Sequence, residues 1–584
     1  MHLQKGFIFL PLYYPKKFPE FTIVNFRKFF YICGWNEKHF LNMETPEIKL
    51  DRFPLGIQSF EKLRKAGAVY VDKTEYLYKL VNSKTTSYFL ARPRRFGKSL
   101  MCNTLRAYFE GKKELFEGLM VEKWEKDWIQ YPILYLDFVD GDYSVGPTML
   151  ISKLKLALIN FEKENGIHFD EKSVEIVENE EPIKKESRIL PLRFMSDLQA
   201  VYEKTGLGTV VIVDEYDNPL INSVDLDTDK GIFRGFFSVL KSADKYVRFV
   251  FLTGVTKFAK TSIFSGNNQP EDISLDKYYS GICGITHDEL LNYFSTDIQA
   301  FADDKGISFD DMLELLKKWY DCYRFHEDGV RVFNPVSLFN ALKKHDLHNY
   351  WYGTGTPTIL MKRIKNSNFD IKTLKDDVEF GKDNLKDYKD DEFKTELVPL
   401  LYYSGYLTIK EYIDEERLYI LGFPNYEVEM SFFNSLANEF YQLPDSQSGF
   451  NYADFMVDFR RGNIANVIER FKALFCTLPY ANDKSVKLVE RDFQNVIYLV
   501  FSILGEYIIA EPHFSNGRAD AILINKNYVY IFEFKIDQDA QTALNQIEVK
   551  NYAGRFKMDD RKVVKVGISF SSVEKNIVDW KVED

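Results

Sequence analysis

Short apolar runs separated by helix-length amphipathic stretches dominate the first half of the chain: TSYFLA (86–91), PILYLDF (132–138), TVVIVDE (209–215) and RFVFLTG (248–254). Runs of this length, rich in Val, Ile, Phe and Tyr and without strict alternation, mark strands buried on both faces, as in parallel sheets covered by helices. The spacing therefore predicts an α/β unit, bounded here at residues 43–285. Within it, the charged segment 168–187, HFDEKSVEIVENEEPIKKES, is expected to be a solvated connection. From Thr286 the period becomes helical, as in DDMLELLKKWYDCY and PVSLFNALKKH, the second launched by Asn334 and Pro335 in cap and first-turn positions. A helical lid and connector is expected over 286–395, ending in a charged stretch near 366–395. Residues 396–480 then give helix, strand, polar turn, strand and helix, the order of a winged helix, without the basic character of a DNA-binding one. The last unit, 481–584, reads as mixed α/β: a helix at 488–504, strands near 507–511, 520–525 and 528–535, a helix at 539–554 and a strand at 563–570.

A length of 584 residues supports the three or four folding units that this pattern implies. With 76 Lys and Arg against 87 Asp and Glu, the net charge of −11 argues against coating nucleic acid through a generally basic surface. The acidity is uneven, because residues 481–584 carry 14 basic and 16 acidic side chains, a net of −2. Five scattered cysteines without a CxxC pair indicate neither a disulfide framework nor a thiolate zinc site and suit a reducing cytoplasm. The most apolar stretch, 496–510, is too short to cross a bilayer and is interrupted by Gly505 and Glu506, so no membrane partner is expected. Residues 1–42 are aromatic-rich without clean periodicity and read as a peripheral extension or an over-extended start, with no signal peptide.

The first chemical motif is ARPRRFGKSL, where an apolar strand runs into Arg92, Pro93, Arg94, Arg95, Phe96, Gly97, Lys98 and Ser99 and then a helix. Backbone N–H groups at a helix N-terminus face an anion, a Lys reaches the outer phosphates, and a hydroxyl binds Mg²⁺. Gly97, Lys98 and Ser99 supply that ending, with Arg94 and Arg95 beside it, although Arg92 stands where the phosphate-loop pattern has Gly. About 115 residues on, the strand Val210–Val213 delivers Asp214 and Glu215 at its carboxyl end, where ligands bind in parallel sheets. Asp214 would hold Mg²⁺, and Glu215 would position or activate water against the γ-phosphate of ATP. Thr253 and Thr256, after the next strand, are either γ-phosphate-side polar groups or ordinary strand polarity.

The second motif is Gly517-Arg518-Ala519-Asp520, then AILI, the polar turn Asn525-Lys526-Asn527 and YVYIFEFK. Alternation along the second strand puts Glu533 and Lys535 on one face and Phe532 and Phe534 on the other. A turn centred between Lys526 and Asn527 sets Asp520 across from Glu533, so two carboxylates share a Mg²⁺ with a Lys beside them. That arrangement suits phosphodiester cleavage, with Lys535 orienting water or stabilising developing charge. An exposed strand bearing a salt bridge would give the same spacing. Glu511 is another candidate ligand, and His513 is read as incidental.

These stretches, with LGIQSFEKLRKAGAVYVDKTEYLYKLV, VVIVDEYDNPLI, FLTGVTKFAKTSIFSGNNQPEDIS and LLYYSGYLTIK, closely resemble bacterial AAA-ATPase-like proteins that carry a C-terminal PD-(D/E)XK nuclease domain. The resemblance runs from about residue 50 to the C-terminus and implies a P-loop NTPase (AAA-like) fold with lid, then a restriction-endonuclease-like α/β domain. It makes Arg92 a family trait and adds Glu490 as a further acidic metal ligand, with Gln546 and Tyr552 facing the nuclease site. What it implies is an ATP- and Mg²⁺-dependent cytoplasmic enzyme acting on nucleic acid, DNA first, with homo-oligomeric ATP sites open. The competing expectation is a nucleotide-dependent signalling switch whose C-terminal domain binds nucleic acid or a partner without cleaving.

Overall fold

In the computed structural model, residues 52–171, 179–257, 270–351, 364, 377–386, 397–441, 452–477, 490–503, 507–510, 513–514, 517–557 and 559–584 are described. The expected extension 1–42 and Glu511 lie outside them. Five strands, β1 (Ser87–Ala91), β2 (Ile133–Asp137), β3 (Thr209–Asp214), β4 (Val247–Gly254) and β5 (Glu271–Asp272), form a sheet in the order β2-β3-β4-β1-β5. Every pairing is parallel, and all six residues of β3 are buried, as a sheet covered by helices requires. β4 thus lies between β1, which feeds the phosphate loop, and β3, which ends at Asp214, and the three carboxyl ends converge.

The segment expected to be a solvated connection is partly helical. Pro182 occupies the first turn of a helix, Pro182–Thr205, whose charged opening residues look outward while Leu190, Phe194, Leu198 and Val201 enter the core. Its periodicity starts only at Ile189, which is why the opening turns read as a charged run.

In the lid, helices His287–Lys305, Phe309–Tyr320 and Pro335–Lys344 pack around their own apolar core. Asn334 accepts from the N–H groups of Val336 and Ser337, which caps the third helix in the way its sequence predicts. Between them lies a small antiparallel sheet, Ile285–Thr286, Arg331–Phe333 and Tyr323–Arg324, that helical periodicity alone does not reveal.

The connector shows helix Leu397–Ser404, strands Thr408–Ile413 and Leu418–Gly422, and helix Tyr426–Tyr441. A third strand, Val378–Gly381, joins the sheet from the stretch read only as charged.

The C-terminal sheet has the order Tyr507–Ala510, Ala521–Ile524, Tyr528–Ile536, Lys562–Ser571, Asn576–Glu583, with only the third and fourth strands parallel. Helix Ala540–Val549 covers one face, packing Leu544 and Ile547 with Ile522, Val529 and Ile531. Aromatic side chains from Tyr452–Arg460, Ile464–Thr477 and Glu490–Ile503 cover the other, through Phe459 on Tyr530, Phe475 on Phe570 and Phe493 on Phe570. The first two helices, expected with the winged-helix connector, therefore pack on the C-terminal sheet. Among the described residues no helix is long and apolar enough to cross a membrane.

Candidate functional sites

The candidate nucleotide site is assembled at the carboxyl ends of β1, β3 and β4. Gly97 is the N-cap of helix Lys98–Phe109 with φ +95°, a left-handed conformation that L-residues adopt only at a cost, and no side chain caps the helix. The first N–H groups of the helix are thus left to an incoming anion. They open on a cleft of about 520 Å³ lined on its polar side by Arg94, Arg95, Lys98, Ser99, Glu215 and Asn218. Pro54, Leu55 and Ile57 from the segment before the sheet, and Pro335, Val336 and Phe339 from the lid, supply an apolar side. The cavity size and this division into polar and apolar walls suit a nucleoside triphosphate.

The Lys98 ammonium is buried and donates to the carbonyls of Arg92 (3.0 Å) and Pro93 (3.2 Å), its own loop. Neutral carbonyls hold a cation less firmly than a carboxylate does, so phosphate oxygens can compete for it. Arg92 itself points away from the cleft. Its guanidinium donates to the carbonyls of Ala91, Ser274 and Tyr279 and lies 4.0 Å over the Phe325 ring, so the residue in the usual glycine position ties the loop to neighbouring segments.

Asp214 is 1% exposed and accepts from the Thr253 hydroxyl at 2.7 Å. Both lie behind the cleft wall, while Glu215, at φ +53°, turns forward to line it. Burial raises the Glu215 pKa, against the pull of Lys98 and Arg94. The structure also brings in a carboxylate that motif reading passed over. Asp217 is buried and accepts from the N–H groups of Val255 (3.1 Å) and Thr256 (2.7 Å) and from the Thr256 hydroxyl (3.0 Å), fixing the segment after β4. Its signal was the third acid of DEYD, hidden beside Asp214, read as a Mg²⁺ ligand, and Glu215, read as activating water. Asp72, Lys73 and Thr74, unassigned from sequence, are structural: Asp72 accepts from Thr74 and Met120 N–H groups, and Lys73 pairs with Glu289 at 2.7 Å.

The second site is set by one turn. Asn525 Oδ1 accepts from the N–H groups of Asn527 (2.9 Å) and Tyr528 (2.8 Å), closing the hairpin around Lys526 and Asn527. The resulting register pairs Ala521 with Phe532, so Asp520 falls opposite Glu533. Asp520 Oδ2 accepts from the Phe534 N–H at 2.6 Å, Glu533 is buried, and the Lys535 ammonium donates to Glu533 at 2.8 Å. Lys535 also donates to the Phe534 carbonyl at 3.0 Å. Glu533 and Lys535 share the face covered by helix Ala540–Val549, whereas Phe532 and Phe534 enter the aromatic core of the other face. Two carboxylates and an ammonium on one face fit a divalent cation bound to a phosphodiester.

Glu490 opens helix Glu490–Ile503 on the opposite, aromatic-covered face, its side chain outside the described set. Gln546 is half-buried on helix Ala540–Val549, and Tyr552 is buried with Ala519 and Ile522 in the apolar cluster beneath it. Among the described residues no three His, Cys, Asp or Glu side chains gather as a metal cage.

Comparison with known proteins places a family match over each of the two domains. Residues 54–264 match the family described as Predicted AAA-ATPase, and residues 488–580 match the PD-(D/E)XK nuclease superfamily. An Azotobacter chroococcum mcd 1 protein described as "Uncharacterized protein in vnfD 5'region" is 30% identical over 555 residues, covering 91% of this chain and 99% of that protein. The chain therefore belongs to the predicted AAA-ATPases that carry a C-terminal PD-(D/E)XK nuclease-superfamily domain.

Proposed function

We propose that the chain binds and hydrolyses ATP in the cleft at Lys98, and that its nucleotide state controls Mg²⁺-dependent phosphodiester cleavage of nucleic acid, DNA first, at the Asp520–Glu533 hairpin. The observation that carries this reading is the juxtaposition of Asp520 opposite Glu533 with Lys535 bonded to Glu533, in a chain that also holds a triphosphate-sized cleft at its phosphate loop. A binding-only domain needs no such set of charges on a strand that is otherwise apolar.

At the cleft, the helix N–H groups and Lys98 neutralise the phosphates, and Ser99 would hold the cation, with Asp214 behind the cleft wall reaching it through water. Glu215 is positioned to accept a proton from attacking water, and Thr253 fixes Asp214. At the hairpin, Asp520 and Glu533 would hold the second cation, while Lys535 orients water or balances negative charge. A divalent cation, when bound, supplies phosphate polarisation and a more acidic water at either site. The reading places the protein in the cytoplasm.

The test is incubation of the full chain with plasmid, single-stranded DNA and RNA, with Mg²⁺ or Mn²⁺, in the presence and absence of ATP. Metal-dependent degradation that responds to ATP is expected. Absence of cleavage of all three by folded protein that still hydrolyses ATP would refute the nuclease assignment and leave a nucleotide-dependent binding switch.

A further inference from the structure

We propose that the nucleotide state of the cleft is read by the connector at two contacts, Pro93 against Gly405 and Lys257 against the carbonyl of Lys386. This rests on the nucleotide-controlled reading above and names the physical route for it.

The first contact begins at the phosphate loop. The carbonyls that receive the Lys98 ammonium belong to Arg92 and Pro93, so a phosphate that draws the ammonium away alters the hold on those two residues. Both already press on other segments. Arg92 lies over Phe325, and the Phe96 ring meets Tyr323 edge-on at 4.7 Å. Pro93 packs against Gly405 so closely that a Cβ there would fall 2.7 Å from the Pro93 Cβ, and Gly405 has φ +91°. A contact with no slack transmits displacement instead of absorbing it.

The second contact begins at the end of β4. Asp214 holds Thr253, and Asp217 holds Val255 and Thr256, which fixes the position of the next residue, Lys257. Lys257 is 3% exposed, pairs with Asp272 at 3.0 Å and donates to the Lys386 carbonyl at 2.7 Å. Its ammonium lies 5.0 Å from the Tyr403 ring, and the Tyr403 hydroxyl donates to the Leu385 carbonyl at 2.9 Å. A buried ammonium resists losing its partners, so this bond ties the segment after β4 to the connector.

From the connector the path continues by packing alone. Phe433 of helix Tyr426–Tyr441 meets Tyr498 of helix Glu490–Ile503 at 5.7 Å, and Phe501 of that helix meets Phe532, the neighbour of Glu533, at 6.3 Å. Neither Lys257 nor Gly405 lines the cleft.

The measurement is hydrogen exchange on the full chain with and without a non-hydrolysable ATP analogue and Mg²⁺, in the wild type, Lys257→Met and Gly405→Ala. In the wild type, exchange is expected to change both in the loop peptide 92–99 and in connector peptides 378–386 and 402–408. In either folded variant the loop response persists and the connector response falls by about fivefold or more, the low end of ordinary coupling between sites. A protected loop with an unresponsive connector in the wild type overturns the proposal, even if neither variant folds. So does an undiminished connector response in both variants. An unprotected loop removes the nucleotide-site reading and this proposal together. A responsive connector with cleavage indifferent to ATP supports the contacts and refutes only the control of cleavage.

Discussion

At the nucleotide cleft the chemical groups come from three strand ends far apart in sequence, whereas at the C-terminal hairpin they come from two strands joined by one turn. The cleft consequently depends on supporting residues that touch no substrate: Arg92 anchors the loop to Ser274 and Tyr279, and Asp217 fastens the segment after β4. The hairpin depends on register. Asn525 sets it, and a slip of one residue would send Glu533 and Lys535 to the aromatic face. One site is thus vulnerable through its scaffold and the other through its alignment.

Substitutions can separate these two designs, and the largest effect is expected at the cleft. Lys98→Ala should lower ATP turnover by about 10²–10³-fold or more, by analogy with loss of a charge-stabilising donor. Steady-state phosphate release measures this, and circular dichroism should show an unchanged fold. Asp520→Asn should reduce metal-dependent cleavage by about 10²-fold while leaving ATP turnover intact, because the amide keeps shape but weakens cation binding. Unchanged cleavage at saturating Mg²⁺ would remove Asp520 from the metal site.

A smaller effect distinguishes scaffold from chemistry within the cleft. Asp217→Ala orphans three buried donors and should cost about 2–3 kcal/mol of stability in a urea titration. Glu215→Gln, which orphans none of them, should leave the midpoint nearly unchanged while lowering turnover.

The smallest effect concerns a buried carboxyl in neither site. Glu427 on the connector helix accepts from the N–H groups of Tyr350 (2.5 Å) and Trp351 (2.7 Å), and burial raises its pKa from 4.5 to about 7. The folded chain therefore keeps a proton that the unfolded chain releases above about pH 4.5, so stability falls between pH 4.5 and 7 and levels off above. Glu427→Gln should abolish that slope. It should match the wild type near pH 4 and exceed it by about 1–3 kcal/mol at pH 8, as denaturation at the two pH values would show.

Local features were the legible ones. The apolar runs at 87–91, 133–137, 209–214 and 247–254 are strands because their burial on both faces is written in composition. The hairpin register followed from Asn525-Lys526-Asn527, a turn whose side-chain hydrogen bonds are encoded within four residues. What sequence reading missed depends on partners remote in the chain. β5 has two residues and exists by pairing with β1, and Asn576–Glu583 is a strand because Lys562–Ser571 offers it an edge. Helices Tyr452–Arg460 and Ile464–Thr477 show nothing locally of the sheet they dock on through Phe459 and Phe475. Arg92 departs from the phosphate-loop pattern at the glycine position, and the acceptors that give it a role, the carbonyls of Ser274 and Tyr279, lie far along the chain. Asp217 was masked by adjacent acids whose role was easier to name.

The central claim is that one chain carries two separable sites, and Lys535→Ala tests it most directly when ATP turnover and nucleic-acid cleavage are measured on the same preparation. The account predicts wild-type ATP turnover together with loss of Mg²⁺-dependent cleavage by about 10²-fold or more. Cleavage at the wild-type rate by this variant would contradict it.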